Sequence, residues 1–253
     1  MNYLTTGQGR RIAYHQTRGQ GPGVVFLGGF RSDMTGTKAQ YLQGWAARQG
    51  RGFLRFDFSG HGASDGAFQD GCIGDWVQDA VAVLGLTDGP QVLVGSSMGG
   101  WIALLLARAM PDKVAALVTI AAAPDFTEDA IWAGFDAGQR SDLAARGVVY
   151  LPSDYGDPYP ITRRLIEDGR NHLVLQKALP LPMPVRMLQG TADRDVDQSV
   201  ALRLLDHASG PDIRLTLVKD ADHRFSTAAC LALMVKAVDE VRECVGFTHP
   251  TVA

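Results

Sequence analysis

Short runs of consecutive apolar residues alternate along this chain with longer stretches in which apolar residues recur every three or four positions. The short runs predict strands at Val24–Leu27, Phe53–Phe58, Val92–Val94, Ala115–Ala121, Val185–Gln189 and Ile213–Val218. Most are apolar at successive positions, as expected of parallel strands covered by helices on both faces. The longer stretches predict helices at Thr37–Arg48, Gly74–Leu84, Met98–Ala109, Asp197–His207 and Ser226–Cys244. Arg11–Gln16 alternates instead and predicts an antiparallel edge hairpin near the N-terminus. The sum is an α/β chain with a mostly parallel, doubly wound sheet.

One interval breaks the rhythm. Residues 124–184, from Pro124 to Pro184, carry Trp132, Phe135, Tyr150, Tyr155, Tyr159 and several prolines. A structureless loop of that length does not suit a compact domain. The interval therefore predicts a helical lid over one end of the sheet, inserted in a single domain spanning residues 1–253. Its aromatic residues are better explained as packing the lid onto the sheet than as lining an acyl pocket. Arg163, Arg164 and Arg170 read as solvated surface charge rather than as a site for an anionic group.

Composition narrows the partners. The chain has 253 residues, 46% of them apolar, and a formal charge of −3 with no basic block. Neither nucleic acid nor an anionic membrane is an expected partner. The longest apolar stretches, Trp101–Ala107 and Val114–Ala123, are too short to span a bilayer. The N-terminus lacks the apolar core of a secretory signal and the Arg pattern of a transit peptide. Cys72, Cys230 and Cys244 are few and unclustered, and the last two fall in the apolar pattern of a helix as core residues. A cytoplasmic setting is expected.

The chemistry centres on Gly95-Ser96-Ser97-Met98-Gly99, which follows a buried strand and opens a helix rich in Ala and Leu. G-x-S-x-G arises easily by chance, but between a strand and a helix it is the context of a nucleophile elbow. Ser97 would sit on a tight, strained turn with its Oγ raised over the carboxyl edge of the sheet, while the two glycines let strand and helix approach. Ser96 stands at the wrong position of the motif. A serine alcohol needs a base and an acid, and in this context they follow it along the chain. Asp193 lies in the turn after Val185–Gln189. Its rival Asp195 precedes a helix and is read as that helix's N-cap. His223 follows the last strand. Its competitors are placed elsewhere: His15 and His61 before the nucleophile, His172 in the lid, His207 at a helix end, His249 in the tail. For the oxyanion the amides of Met98 and Phe30 are the candidates, Phe30 lying after Gly28-Gly29 at the end of the first long strand. In Arg55–Gly66, Asp57 and Ser64 are expected to bond loop backbone and His61 to be exposed.

These motifs resemble the α/β-hydrolase superfamily along essentially the whole chain. The likeness covers R-x-D-x-x-G-x-G-x-S at Arg55–Ser64, G-x-S-x-G at Gly95–Gly99, G-x-x-D-x-x-V at Gly190–Val196 and D-H at Asp222–His223. Gly28–Ala39, Arg55–Gly66, Val94–Trp101 and Ile161–Leu173 are similar to the mitochondrial acyl-protein thioesterases, a branch with bacterial relatives that also cleaves acyl glucuronides. The resemblance implies an α/β-hydrolase fold and serine hydrolase activity on thioesters or activated esters of small molecules or acyl-proteins. It also implies Ser97, Asp193 and His223 as a triad, Phe30 and Met98 as oxyanion amides, and no metal or organic cofactor. A mitochondrial leader is missing, which points to a bacterial member. The alternatives on this scaffold are cofactor-free perhydrolysis, carbon–carbon bond hydrolysis, or a non-catalytic ligand receptor. Oligomeric state is not legible.

Overall fold

A computed structural model describes residues 1–152 and 158–245. Eight strands form one sheet: β1 (Asn2–Thr5), β2 (Arg11–Thr17), β3 (Gln20–Leu27), β4 (Arg51–Phe56), β5 (Gln91–Ser96), β6 (Val114–Ile120), β10 (Val185–Gly190) and β12 (Ile213–Val218). Their order is β1-β2-β4-β3-β5-β6-β10-β12. From β4 to β12 every pairing is parallel, while β1 and β2 add antiparallel at one edge. The predicted N-terminal hairpin is therefore present. The predicted strand at Phe53–Phe58 stops at Phe56, one residue before Asp57, whose amide still donates to Ala13 O on β2 (3.0 Å).

Successive strand residues feed two apolar layers, which is why the sequence pattern looked continuous. Val25, Leu27, Leu54, Phe56, Leu93 and Leu117 face one layer with Trp76 and Trp101. Val24, Phe26, Phe53, Val92, Val94 and Val118 face the other with Trp45 and Val238. Helices α2 (Ile73–Leu84) and α3 (Met98–Ala109) cover the first face, and α1 (Thr37–Arg48) and α7 (Ala228–Cys244) the second. Helix α3 is buried from Met98 to Leu106, which accounts for its unbroken apolar sequence. Helix α6 (Gln198–His207) lies between β10 and β12 in the chain. Among the described residues no helix is long and apolar enough to cross a membrane.

The interval between β6 and β10 is not all helical, contrary to expectation. It holds a π-helical turn (Thr127–Trp132), α4 (Ala137–Arg146), an antiparallel pair of β7 (Val148–Leu151) and β8 (Tyr159–Thr162), and α5 (Arg163–Gly169). The β-branched and aromatic residues of Val148-Val149-Tyr150 and Tyr159-Pro160-Ile161-Thr162 favour strands there. A two-residue pairing of β9 (Leu179–Pro180) with β11 (Ala208–Ser209) follows. Tyr155 lies outside the described residues.

Asp125 ties both ends of this interval together. It is fully buried, takes a left-handed φ of 58°, and accepts from the amides of Val174 (2.8 Å) and Leu175 (2.9 Å). Burial raises its pKa, and those two amides oppose the rise. Asp125→Ala is expected to leave both amides unpaired and to lower stability by about 2–5 kcal/mol in urea unfolding. Asp125→Asn keeps one acceptor oxygen and sheds the buried charge, so its loss should be smaller. Equal stability of Asp125→Ala and the parent would refute this role.

Candidate active site

The chain turns from β5 into α3 through Ser97, which adopts φ 54° and ψ −119° although it is not glycine. Such a conformation costs about 1–3 kcal/mol and persists only where surrounding bonds hold it. Here they do: Ser97 N donates to Ile120 O (2.9 Å), while Ser97 O accepts from Gly100 N (2.9 Å) and Ala123 N (3.1 Å). The flanking glycines are required by proximity. A Cβ on Gly95 would meet the backbone of Gly99 and Gly100, and one on Gly99 the carbonyl oxygens of Leu27 and Gly28. The Ser97 side chain is thereby raised over the carboxyl ends of the parallel strands.

Two loops at those ends meet it. His223, in the loop after β12, brings Nε2 to 3.1 Å from Ser97 Oγ. Its Nδ1 lies 2.9 and 3.1 Å from the two carboxylate oxygens of Asp193, in the loop after β10. Asp193 is further held by Asp195 N (3.0 Å), Val196 N (2.8 Å) and Gln189 Nε2 (3.0 Å). Its side chain has no exposed surface. Burial pushes the carboxyl up, but the bond from His223 and the surrounding donors outweigh it and hold the group below the usual carboxylate range. An ionised Asp193 makes Nδ1–H the donor, which leaves Nε2 free to accept from Ser97 Oγ–H. The two loops are also stitched together, by Ala192 N to Ala221 O (3.0 Å) and Asp220 N to Thr191 Oγ1 (2.9 Å).

A cavity of about 600 Å³ opens over Ser97, and Phe30, Met98 and His223 all line it. The backbone after β3 runs close by, since a Cβ on Gly29 would sit 3.3 Å from Ser97 Cβ. Met98 begins α3, where the amides of the first turn have no partner within the helix. The cavity's apolar wall comes from the interval after β6, chiefly Phe126, Ala130, Ile131, Leu151 and Ile161.

Several expectations need correction. Asp195 is not the helix cap; Asp197 is, accepting from Ser199 N at 2.8 Å, and Asp195 instead lines the cavity beside His223. The helix simply starts later than the capping argument required. His61 is buried, not exposed, because Phe58, Phe68 and Trp76 from separate segments enclose it. Burial lowers its pKa to about 4, and its Nδ1 bonds Ser59 O at 3.1 Å. Cys244 is exposed rather than a core residue, while Cys230 is buried. Asp57 and Ser64 do bond loop backbone: Asp57 accepts from Met34 N (2.6 Å) and Ala63 N (2.8 Å), and Ser64 Oγ donates to Asp57 O (2.6 Å).

Arg163, Arg164 and Arg170 are engaged away from the cavity, with Leu143 and Ala144 carbonyls, Asp75, and Glu128 respectively. Of the lid aromatics Tyr159 lines the cavity, Phe135 is buried in the core, and Tyr150 is exposed. His249 lies outside the described residues. Sequence reading missed Gln189, which donates to Asp193, and Lys38, which lines the cavity. A polar residue closing the apolar strand Val185–Gln189 and a lysine opening a helix were the available signals.

A model of the alpha/beta hydrolase family matches residues 24–237. The chain is 33% identical over 244 residues to the mitochondrial palmitoyl-protein thioesterase ABHD10 of Rattus norvegicus, covering 95% of this chain and 82% of that protein. Its human counterpart is 32% identical, with coverage of 95% and 79%. The mouse ABHD10 structure superposes with a TM-score of 0.89 at 32% identity, over 97% of this chain and 99% of that one. A crystal structure of a protein from Agrobacterium vitis S4 gives 0.92 at 42% identity, over 95% and 97%. With the sheet order, the elbow at Ser97 and this family match over most of its length, the chain belongs to the alpha/beta hydrolase family.

Proposed function

We propose that this protein is a serine hydrolase that cleaves carboxylic esters or acyl thioesters through an acyl-enzyme on Ser97. The continuous hydrogen-bonded line from Ser97 Oγ through His223 to Asp193 carries the reading. Relatives named as thioesterases support its substrate side. Ser97 Oγ attacks the acyl carbon as His223 Nε2 takes its proton. The Met98 and Phe30 amides stabilise the oxyanion, each such donor being worth about 3 kcal/mol. Asp193 holds the imidazole tautomer and stabilises its cation. His223 then protonates the leaving thiolate or alkoxide, and water, deprotonated by His223, releases the acid and frees Ser97.

Residues 124–184 act as a lid within a single domain, and their apolar wall receives the acyl chain. The substrate is a small-molecule or protein-borne acyl group, and the chemistry calls on no metal or organic cofactor. The three free cysteines fit a reducing, cytoplasmic setting.

Labelling by a fluorophosphonate probe is expected for the wild type and lost in Ser97→Ala. The same substitution should lower thioester and p-nitrophenyl ester turnover by on the order of 10⁴-fold or more. An unlabelled wild type would favour a ligand receptor, and peracid formation exceeding ester cleavage would favour a perhydrolase.

Asp193→Asn should leave KM near the wild-type value and reduce kcat by ~10⁴, through loss of the productive tautomer. Because folding depresses the Asp193 pKa below its ordinary 3.8, its stabilisation is present above about pH 4 and lost as pH falls through the lower folded value. The melting-temperature gap between wild type and Asp193→Asn should thus narrow as the pH is taken below about 4. A gap that stays constant between about pH 5 and pH 3 would contradict the assignment.

A further inference from the structure

Lys38 breaks a local rule. It is the second residue of α1, in the turn where the helix dipole opposes a cation, and that turn carries no acidic residue beside it. It is also partly withdrawn from water and lines the cavity over Ser97. A cation placed against the dipole and away from solvent is expected where function holds it.

Its Nζ donates to the carbonyl oxygen of Arg224 at 2.5 Å. Arg224 directly follows His223 in a loop whose two ends are bent, with Asp220 at φ 60° and Phe225 at φ 51°. The near end of that loop is stitched to the Asp193 turn through Ala221 and Asp220. Beyond His223, Phe225 is fully buried and anchors the chain, and the Arg224 carbonyl is held by Lys38 and by Ser226 Oγ (2.8 Å). Lys38 therefore braces the His223 loop from α1, the helix that follows the Phe30 loop.

Building on the serine-hydrolase reading above, we infer that Lys38 is a positioning residue for this reaction: through the Arg224 carbonyl it sets where His223 stands relative to Ser97 Oγ. Lys38 touches no reacting atom in this role. Burial brings its ammonium down to about 8, with Asp222 opposing and Arg224 reinforcing the shift. Arg194 and Asp195 of the Asp193 turn, and Arg31 and Asp33 of the Phe30 loop, line the same cavity. The charge-assisted bond to Arg224 O thus weakens as pH rises through that value, and the brace loosens with it.

The test is the rate of fluorophosphonate labelling, with kcat and KM for a p-nitrophenyl ester, in wild type, Lys38→Met and Lys38→Arg from pH 6 to 10. Circular dichroism identifies folded variants. Lys38→Met should label and turn over slower by on the order of tenfold to a hundredfold, with KM within about twofold, as expected of a misplaced base. Wild type should lose rate above about pH 8, Lys38→Met should lack that decline, and Lys38→Arg should carry it to higher pH. Lys38→Met as fast as wild type overturns the inference, as does an alkaline decline unchanged in Lys38→Arg. If Lys38→Met does not fold, the position of the decline in Lys38→Arg decides alone. A wild type that is not labelled at all overturns the serine-hydrolase reading instead.

Discussion

A serine held at φ 54° is the constraint on which the rest of this site depends. That backbone is unfavourable on its own, and Ser97 keeps it because β6 bonds its amide while α3 and the turn after β6 bond its carbonyl. The bend can exist only where glycine precedes and follows, since any Cβ at Gly95 or Gly99 would enter neighbouring backbone. A tight parallel sheet and a helix buried over most of its length are thus the means by which one hydroxyl is lifted clear of the sheet edge.

The same edge explains why residues far apart in sequence can cooperate. Parallel strands place all their carboxyl ends on one side, so the loops after β3, β5, β10 and β12 converge. Each loop is pinned by polar groups withdrawn from water. Asp57 holds the amide of Met34 beyond the Phe30 loop, Gln189 and two amides hold Asp193, and Lys38 holds the carbonyl beyond His223. Donors surrounding a buried carboxylate keep it ionised where burial alone would neutralise it. In our reading that fixed negative charge is what lets an imidazole serve as base toward Ser97.

The interval after β6 contributes the cavity's apolar wall. Its inner side is largely aliphatic, while its outer side is secured by ion pairs such as Glu128–Arg170 and Asp129–Arg203. Arginines that looked in sequence like free surface charge or an anion site are fasteners of this segment. The cavity it roofs is apolar on one side and carries Lys38, Arg194, Asp195 and Arg224 on the other.

The alternation of buried strands and helices, the elbow motif and the order of the Ser, Asp and His along the chain were legible in the sequence. Each is a short-range signal, set by the period of the backbone or by the residues a tight bend demands. That Asp193 lies in the turn after β10 was legible too, though Asp195, set aside as a helix cap, does not cap the helix. What contacts decide across long separations was not legible. The burial of His61 needs rings from three segments, the β7–β8 pair needs a neighbouring strand, and the contacts of Lys38 and Gln189 need the loops in place. Local sequence sets which elements form, because their periodicity is written residue by residue; which side chains share a low-dielectric space is decided only when those elements pack.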